Sequence, residues 1–296
     1  MISTLPHLDR TLFVEALNFT SSNTGFRQAL IEKDYYCSLI LSYFFDSETS
    51  LVFKGGTCLN KVFSGFYRLS EDLDFTIPVD SEKTRTDRRQ LIEPIKKRFL
   101  KISNSFNCCR IKKELVGANV STQYIGEIEY LSSITGKNET IKIEIALREP
   151  LFLEAKKENA STLLTNPFTL KPFISPFPVT TISKKEAFAE KIRAALSRKE
   201  LAIRDYYDLF YAIKENIISI NDPELLRLAT EKLIFSNGIT LNEKSLPVLK
   251  RQLVTELKPV LRDNDFNAFN LEKTLTEIQK LVEKLNIQRG HNDPQV

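Results

Sequence analysis

The stretch LVFKGGTCLNKVFSGFYRLSEDLDFTI, residues 51–77, contains the pattern that decides the fold. It opens with three apolar residues, Leu51 to Phe53, which stop at Lys54 and two glycines. This change predicts a short strand and a turn into a helix. It closes with residues 70–77, in which polar and apolar side chains alternate as in a strand with one buried face. The segment therefore predicts strand, glycine turn, helix and second strand.

The two aspartates of the second predicted strand are candidate metal ligands. Asp72 and Asp74 are two residues apart, so a strand directs both carboxylates to one face while Leu73 points to the other. Two crowded carboxylates repel each other unless a cation lies between them, and oxygen ligands suit Mg²⁺ that also binds a triphosphate. The alternative interpretation is an exposed edge strand with two solvated acids.

The glycine pair is a candidate phosphate site. Gly55 and Gly56 would let a phosphate approach main-chain N–H groups at the start of a helix that Thr57 is expected to cap. Glycine pairs also occur in plain turns, and the P-loop and dinucleotide-binding glycine motifs are absent from the sequence. Farther along, residues 140–147 alternate again and place a third carboxylate, Glu144, on the face opposite the isoleucines.

Composition excludes several other classes of protein. The 296 residues are 42% hydrophobic and 27% charged with a net charge of +4, which excludes a disordered or fibrous chain. The two histidines, His7 and His291, lie near the ends, which argues against histidine-based hydrolases and zinc enzymes. The cysteines lack C-x-x-C spacing and are expected to be reduced. Without a secretory signal or a long apolar run, we expect a cytoplasmic protein with no membrane partner.

Two domains are expected from the length and from four prolines between residues 167 and 178, which predict an extended connection. The first would span 1–178 and the second, entirely helical, 179–296. Helices are predicted at about 6–18, 26–45, 87–103, 183–197, 204–215, 223–233, 246–257 and 271–285, with a hairpin of strands at 122–131 and 140–147 and a frayed tail at 288–296. The triplet Glu32-Lys33-Asp34 is expected on a solvated helix face, and Ser183 with Glu186 forms a capping-box pattern.

The order of these elements resembles the nucleotidyltransferase superfamily of polymerase-β-like folds. More specifically, ordered motifs within about residues 30–215 resemble the AbiEii/AbiGii toxin family of nucleotidyltransferases. They are IEKDY at 31–35, FKGGTCLNK at 53–61, RLSEDLDF at 68–75, AEKIRAA at 189–195 and RDYYDLF at 204–210. The resemblance implies an α/β (α+β) fold, with a mixed-sheet nucleotidyltransferase core followed by a C-terminal helical domain.

By this resemblance, residues of both domains would contact a nucleotide. Lys54, Gly55, Gly56 and Thr57 would hold its phosphates, with Asp72 and Asp74 as Mg²⁺ ligands. Lys191, from the second domain, would neutralise the triphosphate across a cleft. The alternative for Lys191 is a solvated lysine, and because we expect it to be solvent-accessible, its removal should change stability little.

Three further acids have open roles. Asp205 and Asp208 are three residues apart and share a helix face, and the family carries an essential aspartate in this motif. Either could be that residue, or could instead pair with Lys191 or Arg193. Many superfamily members have Asp where this chain has Glu144, so Glu144 as base or metal ligand is left open.

The resemblance implies an enzyme that uses Mg²⁺ to transfer a nucleoside monophosphate from an NTP to an acceptor hydroxyl. Related toxins act on RNA ends, tRNA in some cases, and are paired with an antitoxin protein. The alternatives are nucleotidylation or phosphorylation of a protein side chain, and a non-catalytic nucleotide-binding or RNA-binding module. Intact Asp72, Asp74 and Lys191 argue against the last.

Overall fold

The computed structural model describes residues 5–80, 82–234 and 245–292. The chain divides into two compact units, Met1–Ile182 and Ser183–Val296. The division falls four residues after the predicted boundary at 178, because residue 178 lies inside the last strand of the first unit.

The first unit is built on a mixed sheet of seven strands, which bears out the predicted fold class. They are β1 Val52–Lys54, β2 Leu73–Thr76, β3 Cys109–Ala118, β4 Gln123–Leu131, β5 Asn138–Ala146, β6 Lys156–Ala160 and β7 Phe177–Thr181. Their order across the sheet is β3-β4-β5-β2-β1-β7-β6. Strands β2 and β5 are parallel, as are β1 and β7, and the other neighbours are antiparallel. The predicted β4–β5 hairpin is present, whereas β3, β6 and β7 were not predicted.

Five helices accompany this sheet: α1 Arg10–Thr24, α2 Gln28–Phe45, α3 Gly55–Cys58, α4 Arg85–Leu100 and α5 Ile102–Ser105. The predicted first helix is interrupted, because Pro6–Leu8 forms a separate 3₁₀ turn and Asp9 then caps α1 through the main-chain N–H of Leu12. The helix after the glycine pair begins at Gly55, without a cap from Thr57, and continues as a π-helix over Leu59–Phe63.

The alternating strands separate a buried face from an open face. Ile141, Ile143 and Ile145 are fully buried, whereas Lys142 and Glu144 between them are half-buried. Apolar side chains of β1, β2, β4 and β5 join α1, α2 and α4 in one hydrophobic core, whose members include Phe13, Tyr35, Phe53, Phe75, Phe99 and Ile128. The opposite, polar face is therefore the one left for a site.

The expectation that the triplet 32–34 is solvated is wrong. Glu32 is buried, and its carboxylate accepts hydrogen bonds from the hydroxyl of Ser132 and, at 2.6 Å, from the N–H of Ser133. Asp34 is buried as well and pairs with Lys61 at 2.5 Å. The triplet thus joins α2 to distant segments, because buried carboxylates need polar partners.

The second unit is helical in its described residues, as expected. Its helices are α6 Lys184–Ser197, α7 Ile203–Lys214, α8 Pro223–Ile234, α9 Ser245–Gln252, α10 Asp263–Ala268 and α11 Leu271–Asn292. Ser183 caps α6 as predicted, because its hydroxyl accepts from the N–H of Glu186 at 3.2 Å. The tail predicted to fray from 288 is helical as far as 292, and 293–296 lie outside the described residues. None of the described helices has the length and apolar content that crossing a membrane requires.

Candidate active site

The first glycine of the pair lies directly against the second aspartate. Lys54 pairs with Asp74 across the antiparallel strands β1 and β2, so the next residue, Gly55, is beside the Asp74 side chain. Gly55 has φ of 77°, and a Cβ built there would lie 2.2 Å from Oδ2 of Asp74. Glycine is required here twice, by the left-handed backbone and by the close carboxylate.

A positive charge lies against the second glycine. A Cβ on Gly56 would be 2.6 Å from Nη2 of Arg68 and 3.2 Å from Oγ of Ser70. Arg68 is buried, and its guanidinium also donates to the carbonyl of Leu69. Guanidinium and hydroxyl groups beside a glycine backbone suit a phosphate. In the sequence, Arg68 is the first residue of the motif RLSEDLDF and its one basic residue, and this is the signal that marks it as a candidate phosphate ligand.

Thr57 has a different position from the one expected of a phosphate ligand. It is buried, and its hydroxyl donates to the main-chain carbonyl of Asp72. Since Thr57 belongs to α3 and Asp72 immediately precedes β2, this bond ties the glycine turn to the aspartate pair. Lys54, the residue before α3, is half-buried with an extended backbone.

The three predicted acids of the first unit lie on neighbouring strands. Asp74 is directly beside Glu144 in the parallel register of β2 and β5, so both side chains are on the open face. Oδ1 of Asp72 accepts a hydrogen bond from the N–H of Lys142 at 3.4 Å. Burial raises the pKa of the Asp72 carboxyl above its ordinary value, because the charged form loses hydration.

A lysine that sequence analysis missed lies among these acids. Nζ of Lys142 is 2.7 Å from Oε2 of Glu144, and Gln123 donates to Oε1 at 2.6 Å. Burial opposes the charge on Lys142, but its bond to Glu144 and the charges of Glu144, Asp72 and Asp74 raise its pKa. Burial likewise opposes the charge on Glu144, yet Lys142 and Gln123 hold its pKa below the ordinary value. The sequence signal for Lys142 is its position two residues before Glu144, which puts both side chains on the same face of one strand.

The donor set fits a magnesium ion that is shared with a substrate. Mg²⁺ is usually held by one or two carboxylates together with substrate phosphates, and Asp72 and Asp74 are two such carboxylates beside the glycine turn. Among the residues that the structure describes, no group of three or more His, Cys, Asp or Glu side chains is arranged to hold a metal. Glu144 is engaged with Lys142 and Gln123, so the substrate would have to complete the coordination.

The predicted residues of the second unit form a cluster of their own. Nζ of Lys191 lies 2.7 Å from Oδ1 of Asp205 and 2.9 Å from Oδ2 of Asp208, and both carboxylates are buried. Asp205 is also 3.1 Å from Nη1 of Arg198. Of the alternatives for the two aspartates, the ion pair with Lys191 is present. The expectation that Lys191 is solvent-accessible is wrong, because its side chain is only 12% exposed.

The glycine turn followed by an aspartate pair on a mixed sheet agrees with the class that the sequence motifs resemble, the nucleotidyltransferases. Within this class, the model of the AbiEii family, described as "Nucleotidyl transferase AbiEii toxin, Type IV TA system", matches residues 40–284. The chain belongs to this family, which associates it with nucleotidyl transfer in a toxin–antitoxin system.

Solved structures from Helicobacter pylori are similar over nearly their whole length. One, described as a candidate nucleotidyltransferase, has 15% identity and a TM-score of 0.45, covering 99% of this chain and 100% of that one. The protein JHP933 has 17% identity and a TM-score of 0.44, covering 98% and 97%. No curated protein matches the chain in sequence.

Proposed function

We propose that the chain is the toxin of a toxin–antitoxin pair and uses Mg²⁺ to transfer a nucleoside monophosphate from an NTP to an RNA 3′ hydroxyl, with tRNA as the favoured acceptor. The observation that carries the proposal is the contact of the Asp74 carboxylate with Gly55, with Asp72 and Glu144 nearby on the sheet. This contact supports the proposal because a turn suited to phosphate binding and acids suited to metal binding lie next to each other.

Each group in this place has a defined part. The main chain at Gly55 and Gly56 and the guanidinium of Arg68, which lies against Gly56, bind the triphosphate, because N–H donors and a fixed positive charge are next to each other there. Asp72 and Asp74 would hold Mg²⁺, which when bound supplies positive charge at the reacting phosphate. Thr57 keeps Asp72 in place, because its hydroxyl donates a hydrogen bond to the main-chain carbonyl of Asp72.

The remaining charged residues have supporting parts. Lys142 keeps the acids from repelling one another before substrate arrives, because its ammonium offsets their charge. The part of Lys191 in offsetting the triphosphate charge rests on the family resemblance; within the second unit, Asp205 and Asp208 hold its ammonium. The RNA acceptor, the tRNA preference and the antitoxin partner rest on the family resemblance.

The test incubates the full chain with α-³²P-labelled NTPs and total RNA, with Mg²⁺ or with EDTA, and separates RNA from protein. We expect label on RNA that includes the tRNA band, dependent on Mg²⁺ and lost in Asp74→Asn, which keeps the shape of the side chain without its charge. Glu231→Gln, on an exposed helix surface of the second unit, serves as the matched control and should label normally.

Other outcomes would each overturn a stated part of the proposal. Label on protein would indicate side-chain nucleotidylation, and transfer from γ-labelled but not α-labelled NTP would indicate phosphorylation. Binding of NTP or RNA without transfer under any condition would indicate a non-catalytic module.

A further inference from the structure

A basic groove lies in the first unit between α4 and the β3–β4 turn. It encloses a cavity of about 460 Å³. Arg85, Arg89 and Lys96 of α4 line one wall, together with one carboxylate, Glu93. The other wall consists of the end of β3 and the turn after it, residues 116–121, with Tyr124 of β4. We name this feature the α4 groove.

Two other basic residues of α4, Arg88 and Arg98, are engaged elsewhere. Arg98 holds the end of α2 through Tyr43 and Asp46, and Arg88 donates to the carbonyl of Lys83. Within the described part of the chain, Arg85, Arg89 and Lys96 make no ion pair with a carboxylate. Three adjacent cations without a partner favour an anionic ligand.

The spacing of these cations favours a polyanion over a single phosphate. Positions 85, 89 and 96 share one side of the helix, and at 1.5 Å rise per residue they span about 16 Å. Arg85 and Arg89 are exposed, and Lys96 is half-buried. One phosphate could engage only part of this row, whereas a nucleic-acid backbone can engage all of it.

The opposite wall has a strained backbone. Asn119, Val120 and Ser121 all have positive φ, of 49°, 56° and 62°. The β-branched Val120 is unfavourable in this region and is 66% exposed. Such strain costs free energy and is concentrated at functional sites.

Hydrogen bonds connect this wall to the candidate active site. Asn119 donates to Oε1 of Gln123 at 3.0 Å, and Gln123 donates to Glu144 at 2.6 Å. Glu144 lies directly beside Asp74 in the sheet. The α4 groove is on the α4 side of the sheet and these acids are on the other side, so a strand of nucleic acid in the groove would reach the reacting centre by passing round this end of the sheet.

We infer that the α4 groove binds the sugar–phosphate backbone of the acceptor RNA, away from the 3′ end that reacts. The inference rests on the proposed function for the choice of RNA. Recognition is by charge and spacing along the backbone, since three cations line the groove and its one aromatic residue, Tyr124, is buried and cannot stack on a base.

The test measures binding of fluorescent tRNA by anisotropy as salt is varied. The groove variant is Arg85→Glu/Arg89→Glu/Lys96→Glu, and the matched control is Lys137→Glu/Lys157→Glu/Lys171→Glu, with the same charge change on exposed residues of the same unit. We expect the groove variant to lose at least roughly tenfold in affinity and the control much less. The slope of log K against log salt should fall by about 2, because each single-strand phosphate contact contributes about 0.7.

Three results would overturn the inference: equal loss in both variants, no loss in either, or an equal loss of binding to poly-glutamate, which would indicate an acidic protein partner. A variant with alanine at all three groove positions is measured as well, and melting curves of both variants show whether a loss of binding comes from misfolding. Transfer to an oligonucleotide too short to reach the groove is measured in parallel. Normal transfer with unchanged tRNA affinity contradicts only the groove, whereas absent transfer contradicts only the proposed function.

Discussion

Replacing Gly55 by alanine tests whether the glycine turn positions the carboxylate of Asp74, a candidate metal ligand. A Cβ at this residue would lie 2.2 Å from Oδ2, 2.8 Å from Cβ and 2.9 Å from Cγ of Asp74. All three distances are below 3.0 Å, which real Cβ atoms essentially never show. The Asp74 side chain or the strand below it must therefore move.

A second glycine, Gly136, allows the cost of backbone strain to be separated from the cost of the clash with Asp74. Gly136 has φ of 68° and open space around its Cα, so Gly136→Ala carries the backbone strain alone, roughly 1–2 kcal/mol. Gly55→Ala carries the same strain with φ of 77° plus an overpacking cost of roughly 1–3 kcal/mol. We expect a loss of about 2–5 kcal/mol at Gly55 against about 1–2 kcal/mol at Gly136.

Urea denaturation of both variants measures this difference, and a double-mutant cycle with Asp74→Gly assigns its cause. In the Asp74→Gly background the Cβ, Cγ and Oδ2 atoms are gone, so Gly55→Ala should cost no more than Gly136→Ala. Nucleotide transfer should fall sharply in Gly55→Ala and remain normal in Gly136→Ala. Equal stability losses in the two alanine variants, or an excess at Gly55 that survives in the Asp74→Gly background, would refute the reasoning.

Three further predictions follow from the buried charges. Asp34→Asn leaves the Lys61 ammonium buried without its counter-charge, so urea denaturation should show a loss of about 3–5 kcal/mol, against less than about 0.5 kcal/mol for Glu231→Gln in an exposed pair. Lys191→Met removes the ammonium between two buried aspartates and should cost about 2–4 kcal/mol, and unchanged stability would contradict the cluster. Because the pKa of Asp72 is raised in the folded state, its ionisation destabilises the fold at a pH above both pKa values, and Asp72→Asn should therefore be more stable than wild type at pH 7. This advantage should begin to shrink as pH falls through the folded-state pKa and should be gone below the unfolded-state pKa of about 4. A constant difference across that range would rule out this origin.

The local pattern alone determined the elements that carry the candidate active site. Alternation in 70–77 and 140–147 indicated β2 and β5 and the faces of Asp74 and Glu144, because side chains of a strand alternate with a period of two. The glycine pair indicated the turn into α3, and Ser183 indicated the start of α6. These features depend on residues a few positions apart, which a sequence shows directly.

The tertiary structure alone decided which distant residues meet. Glu32 and Asp34 are charged and follow a helical pattern, so only the approach of Ser132 and Lys61 explains their burial. Strand β7 contains Pro178, which has no N–H to donate. The proline is tolerated because β7 pairs with β1 only at Thr181, so at residue 178 the strand has a neighbour, β6, on one side only.

The same holds for the charges at the two clusters. Lys142 became part of the acidic site only through the pairing of β5 with β2, and Lys191 met its two buried aspartates only through the packing of α6 against α7. Burial and ion pairing are properties of surroundings assembled from separate parts of the chain. Local sequence sets which side chains can be charged, and the tertiary contacts set whether each charge is hydrated, paired or held against a ligand site.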